Sequence, residues 1–464
     1  MPGTNSSIFV IFGITGDLAQ RKLLPALYHL FKDGLLDGQT EIVGISRRAV
    51  SREELLEKAE VCILEEDNVC DPDVLALMQS KIRMLQLDLT DGNDYERLRK
   101  ELDTIETAAG HCMNRLYYLS VPPQTYEPIV RHLGEHGHNT GCSHGIGASR
   151  LLIEKPFGYD LASAEDLIHE TNEQFREEQI YRIDHYLAKE TAQNILAFRA
   201  ANAVFQPVWN NRFISRIDVL ASERVGVEGR ATFYDNVGAL RDLVQSHLLQ
   251  LLALVTMELP AKLSDRPALH ASRRALLESI TPYGKGYSLD VVRGQYDTYR
   301  TEISNPESTT ETFVSLGLHI DTEAWAGVPI RITTGKALAD KKTEIIITFA
   351  GQNIRAGEPN ILTFRIQPNE GIDLTLNVKQ PGFDAKLQKA IMDFSYDRHF
   401  SRPQHPDAYE RVLVDAVRGD NALFATSDEV LASWHILQPV LDMWERSSSD
   451  LVTYPAGSQG PKIR

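Results

Sequence analysis

Apolar residues run unbroken from Ile8 to Phe12, and the segment Gly13-Ile-Thr-Gly-Asp-Leu-Ala19 follows at once. Leu23, Leu24, Leu27 and Leu30 then recur at helical spacing, so the opening reads as buried strand, tight turn and amphipathic helix. Glu41 to Ile45 predicts a second buried strand, ending in Ser46, Arg47 and Arg48. Further apolar runs at Ile82 to Leu87, Leu116 to Ser120 and Leu151 to Ile153 alternate with helix-like segments. Continuous apolar strands separated by helices predict a parallel sheet covered on both faces, a doubly wound, Rossmann-like α/β domain over residues 1–180.

Beyond about residue 180 the period changes. Ile372, Leu374, Leu376 and Val378 alternate with Asp373, Thr375 and Asn377, as in a strand with one solvated face. Further strands are predicted at Ile214 to Ser222, Thr312 to His319, Ile330 to Thr333, Glu344 to Phe349 and Leu362 to Ile366. Helices are expected to flank them at Arg241 to Glu258, Asp407 to Val417 and Asp428 to Trp444. Residues 181–464 therefore read as a larger α+β domain with a mainly antiparallel sheet. No internal repeat is visible, and the tail SQGPKIR reads as a loose terminus.

At 464 residues the chain exceeds the size at which one core keeps growing, which agrees with two domains. Its 48 Lys plus Arg against 64 Asp plus Glu argue against nucleic-acid or anionic-membrane binding, so an anionic ligand must meet a local basic cluster. Cys62, Cys70, Cys112 and Cys142 show no metal-site spacing and are too few to suggest a disulfide framework, which points to a reducing cytoplasm. The start MPGTNSS has no basic region, and the apolar run behind it is too short for a signal-peptide core. The longest apolar stretch, Leu248 to Leu259, carries Gln250 and Glu258 and falls short of the ~20 residues that span a bilayer. It reads as a buried helix.

Three places carry candidate chemistry. In RIDHYLAKE, from Arg182 to Glu190, a helix begun near Asp184 would put His185 and Lys189 four apart on one face, where both can grip an anion. The same pattern also suits a solvated helix start with a cation pair. Gly13 and Gly16 sit where a βα turn lets phosphate oxygens approach backbone N–H groups. The spacing is GxxGDLA rather than GxGxxG, and by itself a structural turn is the alternative reading. At the end of the second strand an acid would bind a ribose 2′-hydroxyl; Arg47 there, with Arg48 beside it, suits a 2′-phosphate, or else a plain surface pair.

GITGDLAQRKLLPAL at 13–27, EKPFGYDL at 154–161 and RIDHYLAKE at 182–190 together resemble the glucose-6-phosphate dehydrogenase family. The likeness continues through EGRATFYDNVGALRDLVQSHLLQ, GVPIRITTGKAL, RIQPNE and PDAYERVLVD. It implies oxidation of D-glucose 6-phosphate at C1 to 6-phospho-D-glucono-1,5-lactone with NADP+ as hydride acceptor, NAD+ being the alternative acceptor. This is the first oxidative step of the pentose phosphate pathway. It also implies a homodimer or dimer of dimers paired through the large sheet, and no metal.

Residue by residue, the resemblance makes His247 the general base for the C1 hydroxyl and Asp184 the acid that stabilises its imidazolium. His185, Tyr186, Lys189 and Lys336 would hold the sugar phosphate. Glu223 and Asp242 would accept from sugar hydroxyls, with Lys341 and Gln367 near the same site. Lys155 is expected where sugar and nicotinamide meet, aimed by a cis Lys-Pro bond. Gly13, Thr15, Gly16, Asp17, Leu18, Arg21, Lys22, Arg47 and Tyr126 fall on the cofactor side. The chain departs from the family pattern at Ala188, where glycine is usual, at Thr15 for serine and at Ser246 for asparagine. A second, structural NADP site is matched only in part, by Lys342 and Arg365, with Gln380 replacing a lysine.

Overall fold

The computed structural model describes residues 6–463 apart from 37, 68, 143–146, 285–288, 354, 401–405 and 448. The chain forms two compact units. One holds Met1–Gly158, Ala162–Ala188 and Pro406–Ser427; the other holds Tyr159–Leu161, Lys189–His405 and Asp428–Arg464.

The first unit is built on β1 (Ser7–Phe12), β2 (Glu41–Ser46), β3 (Ile82–Gln86), β4 (Asn114–Leu119), β5 (Ser149–Ile153) and β6 (Ile180–Ile183). These six strands run parallel in the order β3-β2-β1-β4-β5-β6, and the short strand Phe424–Ala425 adds antiparallel to β6. Every residue of β1 and β4 is buried, as continuous apolar runs demand of central strands. The order reverses between β1 and β4, leaving a crevice beyond their carboxyl ends where such folds bind ligands. Helices α1 (Leu24–Lys32), α2 (Arg52–Asp67), α3 (Pro72–Lys81), α4 (Gly92–Ala109) and α5 (Tyr126–Glu135) connect the strands. Asp91 caps α4 by accepting the Asn93 N–H at 2.9 Å, and Gly110 ends it at φ 74°.

Three expectations about this unit need correction. The boundary at 180/181 falls inside β6, because Ile-Tyr-Arg-Ile is one more buried strand of the parallel sheet. The helix expected over Asp407–Val417 forms at Ala408–Arg418, yet it belongs to the first unit: Val412, Leu413 and Ala416 join the core around Leu27 and Tyr28. Its Glu410 also accepts from His29 at 2.8 Å. Cys112 and Cys142 are disulfide-bonded, their Cα atoms 5.6 Å apart. They precede β4 and β5, which pair side by side, so two cysteines 30 residues apart meet in a way that spacing alone conceals.

The second unit carries β7 (Ile214–Ser222), β8 (Ile280–Pro282), β9 (Val291–Tyr296), β10 (Phe313–Ile320), β11 (Ile330–Gly335), β12 (Lys342–Phe349), β13 (Ile361–Gln367), β14 (Gly371–Lys379) and β15 (Leu387–Ser395). The sheet runs β15-β14-β13-β12-β7-β11-β10-β9, with Leu451–Tyr454 beside β9 and β8 against β10. Among the described residues, only the β7–β11 and β9–Leu451–Tyr454 strand pairs of this sheet are parallel, so the sheet is mainly antiparallel as the alternation predicted. The helix expected from Arg241 begins instead as a π-helix, Leu240–Leu248, and continues as an α-helix over Leu249–Thr256, every residue of which is buried. The tail is not loose: Ser458 accepts from Ala339 at 2.9 Å, and Pro461 packs near Gly294. Among the described residues, no helix is long and apolar enough to cross a membrane.

Candidate active site

The turn after β1 is tied down by backbone. Gly13 and Ile14 donate to the Ile45 carbonyl at 3.0 and 3.3 Å, and Gly16 donates to Gly13 at 2.8 Å. Gly13 has φ 78°, and a Cβ there would strike the Ser120 carbonyl oxygen and lie 2.7 Å from Val121 Cγ1. Only glycine tolerates both conditions. The N–H groups of Thr15, Asp17 and Leu18 open the next helical turn, where a helix has no carbonyls of its own to offer them, so they suit a pyrophosphate. That helix is π-helical over Ala19–Leu23 before α1. Arg21 pairs with Asp17 at 2.7 Å on the exposed side. Arg47 is exposed just past β2, and beside it a cleft of about 340 Å³ lies between Arg48, Ser51, Met84 and Gln86.

A second cluster forms beyond β4, β5 and β6. Glu154 is buried and accepts from the Tyr118 hydroxyl, while Tyr126, also buried, donates to the Glu154 carbonyl at 3.1 Å. Burial pushes the Glu154 carboxyl up to about 7, partly offset by its Tyr118 hydrogen bond and by Lys155, and reinforced by Asp184. The Lys155–Pro156 bond is cis. Asp184 is 1% exposed and accepts the Tyr186 N–H at 2.9 Å. The His185 ring stacks on Tyr409 at 6.2 Å.

RIDHYLAKE is therefore not a helix from Asp184. Asp184 closes a turn over residues 185–188 through its side chain, and the next helix, Glu190–Ala201, starts only after Lys189. His185 and Lys189 consequently do not share a helical face. Ala188 is 1% exposed and packed in the first unit's core, and it is not among the described residues with positive φ, so alanine fits there without backbone strain.

In the second unit, residues distant in sequence meet around Tyr234. The Lys336 ammonium pairs with Glu223 and lies 5.0 Å from the centre of the Tyr234 ring. Burial drives the Tyr234 phenol well above its ordinary value, with Asp242, Glu311 and Glu223 adding to the rise. Glu311 in turn accepts the Leu240 N–H at 2.9 Å, holding the start of the π-helix that carries Asp242 and the fully buried His247. π-Helical turns are often found at functional sites. Lys189 Nζ stands 3.9 Å from Glu370, which also accepts from the Thr191 hydroxyl at 2.8 Å.

Not every candidate joins this group. Gln367 bonds across β12–β13 to Thr343 at 3.2 Å, and Lys341 is exposed before β12. Arg365, matched to a second dinucleotide site, is tied to Asp373 and to the Phe394 carbonyl at 3.0 Å. A cavity of about 1240 Å³ beside Trp209 and Trp325 contains none of the predicted residues. Lys155, Asp184, His185 and Tyr186 belong to the first unit; Lys189, Glu223, Asp242, His247 and Lys336 belong to the second.

Sequence reading missed Glu154, Tyr234, Glu311 and Glu370. Glu154 and Tyr234 lie inside motifs already singled out, next to or near chosen residues. Glu311 has no local signal, because only the fold brings the start of β10 to the π-helix.

Two family descriptions divide the chain between them: "Glucose-6-phosphate dehydrogenase, NAD binding domain" matches residues 10–194, and "Glucose-6-phosphate dehydrogenase, C-terminal domain" matches 196–464. A glucose-6-phosphate 1-dehydrogenase of Chlamydia pneumoniae is 40% identical over 98% of this chain and 93% of its own length. A solved glucose-6-phosphate dehydrogenase in complex with its substrate glucose-6-phosphate superposes with a TM-score of 0.91 at 32% identity, covering 99% of this chain and 97% of the other. The crystal structure of glucose-6-phosphate 1-dehydrogenase from Mycobacterium avium gives 0.84 at 34% identity, covering 98% and 96%. On these matches the chain belongs to the glucose-6-phosphate dehydrogenase family.

Proposed function

We propose that the chain oxidises glucose 6-phosphate at C1 to 6-phosphoglucono-1,5-lactone, with NADP+ taking the hydride. The observation that carries the reading furthest is the convergence on Tyr234 of Glu223 and Asp242, expected at sugar hydroxyls, and Lys336, expected at the phosphate, all drawn from distant parts of the chain. In the working enzyme His247 removes the C1 hydroxyl proton, and Asp184 stabilises the imidazolium so formed. Lys336, Lys189, His185 and Tyr186 hold the phosphate, while Glu223 and Asp242 accept from the sugar hydroxyls. Lys155 orients the reacting end, and Gln367 and Lys341 lie at the periphery of the same site. When bound, the dinucleotide supplies the hydride acceptor. Gly13 to Leu18 hold its pyrophosphate, with Arg21, Lys22 and Tyr126 on the same side, and Arg47 forks onto the 2′-phosphate, which favours NADP+ over NAD+. Steady-state assays with glucose 6-phosphate, glucose and both dinucleotides test this. Equal efficiency on unphosphorylated glucose would remove the phosphate grip.

The oligomer we propose is a dimer, alone or doubled, formed through the outer strands of the large sheet. β15 is its edge, and Leu387, Ile391, Met392 and the nearby Phe383 are exposed there, an apolar edge of the kind a second sheet covers. Changing Ile391 and Met392 to lysine should yield monomers in sedimentation; a dimer of unchanged affinity would place the interface elsewhere. A cytoplasmic location is part of the same reading.

A further inference from the structure

Away from the dinucleotide turn and the acidic clusters, the end of α5 gathers His132, Glu135 and His136. One potential ligand atom from each lies within 4.8 Å of the others. Two histidines four apart and a carboxylate three on from the first face the same side of a helix, which is how one turn can present three donors to a single ion.

The hydrogen bonds already sort the donors. His136 Nδ1 is 2.9 Å from the His132 carbonyl, which can only accept, so the proton sits on Nδ1 and the lone pair on Nε2. A histidine anchored to a backbone carbonyl in this way is oriented as metal-binding histidines are. His132 is 7% exposed, its Nδ1 is 3.1 Å from Glu135, and its Nε2 is buried with no hydrogen-bond partner among the described residues. A buried nitrogen left in that condition is costly, and an ion bound at that nitrogen would relieve it.

The space in front of the rings is kept clear by Gly92, the first residue of α4. A Cβ there would stand 3.1 Å from His136 Cε1, 3.4 Å from His136 Nε2 and 3.6 Å from His132 Cε1. Glu135 is exposed and His136 half-buried, so an ion has a path in from solvent. The competitors are weak or turned aside: Arg131 reaches Glu135 only at 3.4 Å, and Arg99 is engaged with the His136 carbonyl at 2.9 Å.

We propose that His132, Glu135 and His136 bind a divalent transition-metal ion of the zinc type, with the fourth position open to water. Bond lengths of about 2.0–2.2 Å bring neighbouring ligands to within about 4 Å, so closure from the present separation asks only for small rotations about side-chain bonds. The ion would pin the last turn of α5 on the side that faces Gly92 of α4, and its role is structural or regulatory. It lies outside the residues assigned to sugar phosphate and dinucleotide.

The test uses the full chain, stripped of metal by chelator and with any histidine tag removed, titrated with Co2+ by absorption and with Zn2+ by equilibrium dialysis. One ion per chain is expected, with tetrahedral cobalt bands, and Zn2+ should raise the unfolding temperature of the wild type. His136→Ala and Glu135→Gln, both at sites open enough to fold, should each weaken binding at least about tenfold and abolish the thermal shift, since even supporting residues of metal sites cost about 10- to 100-fold. Gly92→Val should weaken binding while all three ligands remain. No ion bound to the wild type, or variants that bind as well as it does, would overturn the proposal.

Discussion

The turn proposed for the dinucleotide in the first unit is made almost wholly of backbone, whereas the cluster around Tyr234 in the second is made almost wholly of side chains. Gly13 to Gly16 and the Ile45 carbonyl supply the turn from short range, held by hydrogen bonds that any sequence with glycine at position 13 could make. Glu223 and Lys336 lie 113 residues apart, and Glu311 reaches the π-helix from a third segment. A backbone site is robust to most side-chain changes and fragile at one glycine. A side-chain site spreads its risk, and each charge depends on the sheet register that places it.

The largest effect should come from the side-chain half alone. His247→Ala is expected to lower kcat by ~10²- to 10⁴-fold, the range for loss of a general base, while dinucleotide affinity measured by calorimetry stays put. If affinity falls with turnover, the two regions are not separable. Gly13→Ala attacks the backbone half: a positive φ and a collision with Ser120 should cost about 2–4 kcal/mol in denaturant unfolding. A stability loss below about 1 kcal/mol would mean that the turn relaxes and that its glycine is not required. Arg47→Ala is the narrower probe. Losing a hydrogen bond to a charged group, about 1.5–3 kcal/mol, should raise the KM for NADP+ about ten- to a hundredfold and leave that for NAD+ unchanged. Equal effects on both cofactors would take Arg47 away from the 2′-phosphate.

That contrast also explains what could be read from residues alone. Strand-turn-helix at Ile8 to Leu30 and the alternation at Ile372 to Val378 are local patterns, and both elements form where expected. The reading failed where a short-range pattern competed with long-range placement. The expected boundary at 180/181 cut through Ile180–Ile183 because only pairing with β5 shows it to be the last parallel strand. A helix is expected to begin near Asp184, with His185 and Lys189 four apart on one face, yet the Asp184 carboxylate closes a turn instead. The helix Ala408–Arg418 has an ordinary amphipathic pattern that says where one face must be buried, but not that α1 is what buries it. Glu311 and the Cys112–Cys142 pair were invisible for the same reason.

Glu154 joins the two kinds of site, a buried side chain held at the carboxyl ends of backbone-built strands. Its carboxyl is pushed up to about 7 from an ordinary 4.5, first by burial. Below the unfolded value both states hold the proton, and the residue imposes no pH dependence. Between the two values the folded chain keeps a proton that the unfolded chain has released, so stability falls as pH rises, and it levels off above the folded value. Glu154→Gln cannot ionise, and its amide oxygen can still accept from Tyr118. The variant should therefore match the wild type near pH 4 and exceed it at pH 8 by on the order of 1–2 kcal/mol. The comparison to make is the difference between the two unfolding curves across that range, since other groups contribute equally to both. Parallel curves would show that Glu154 is ionised in the folded protein throughout, with Lys155 outweighing burial.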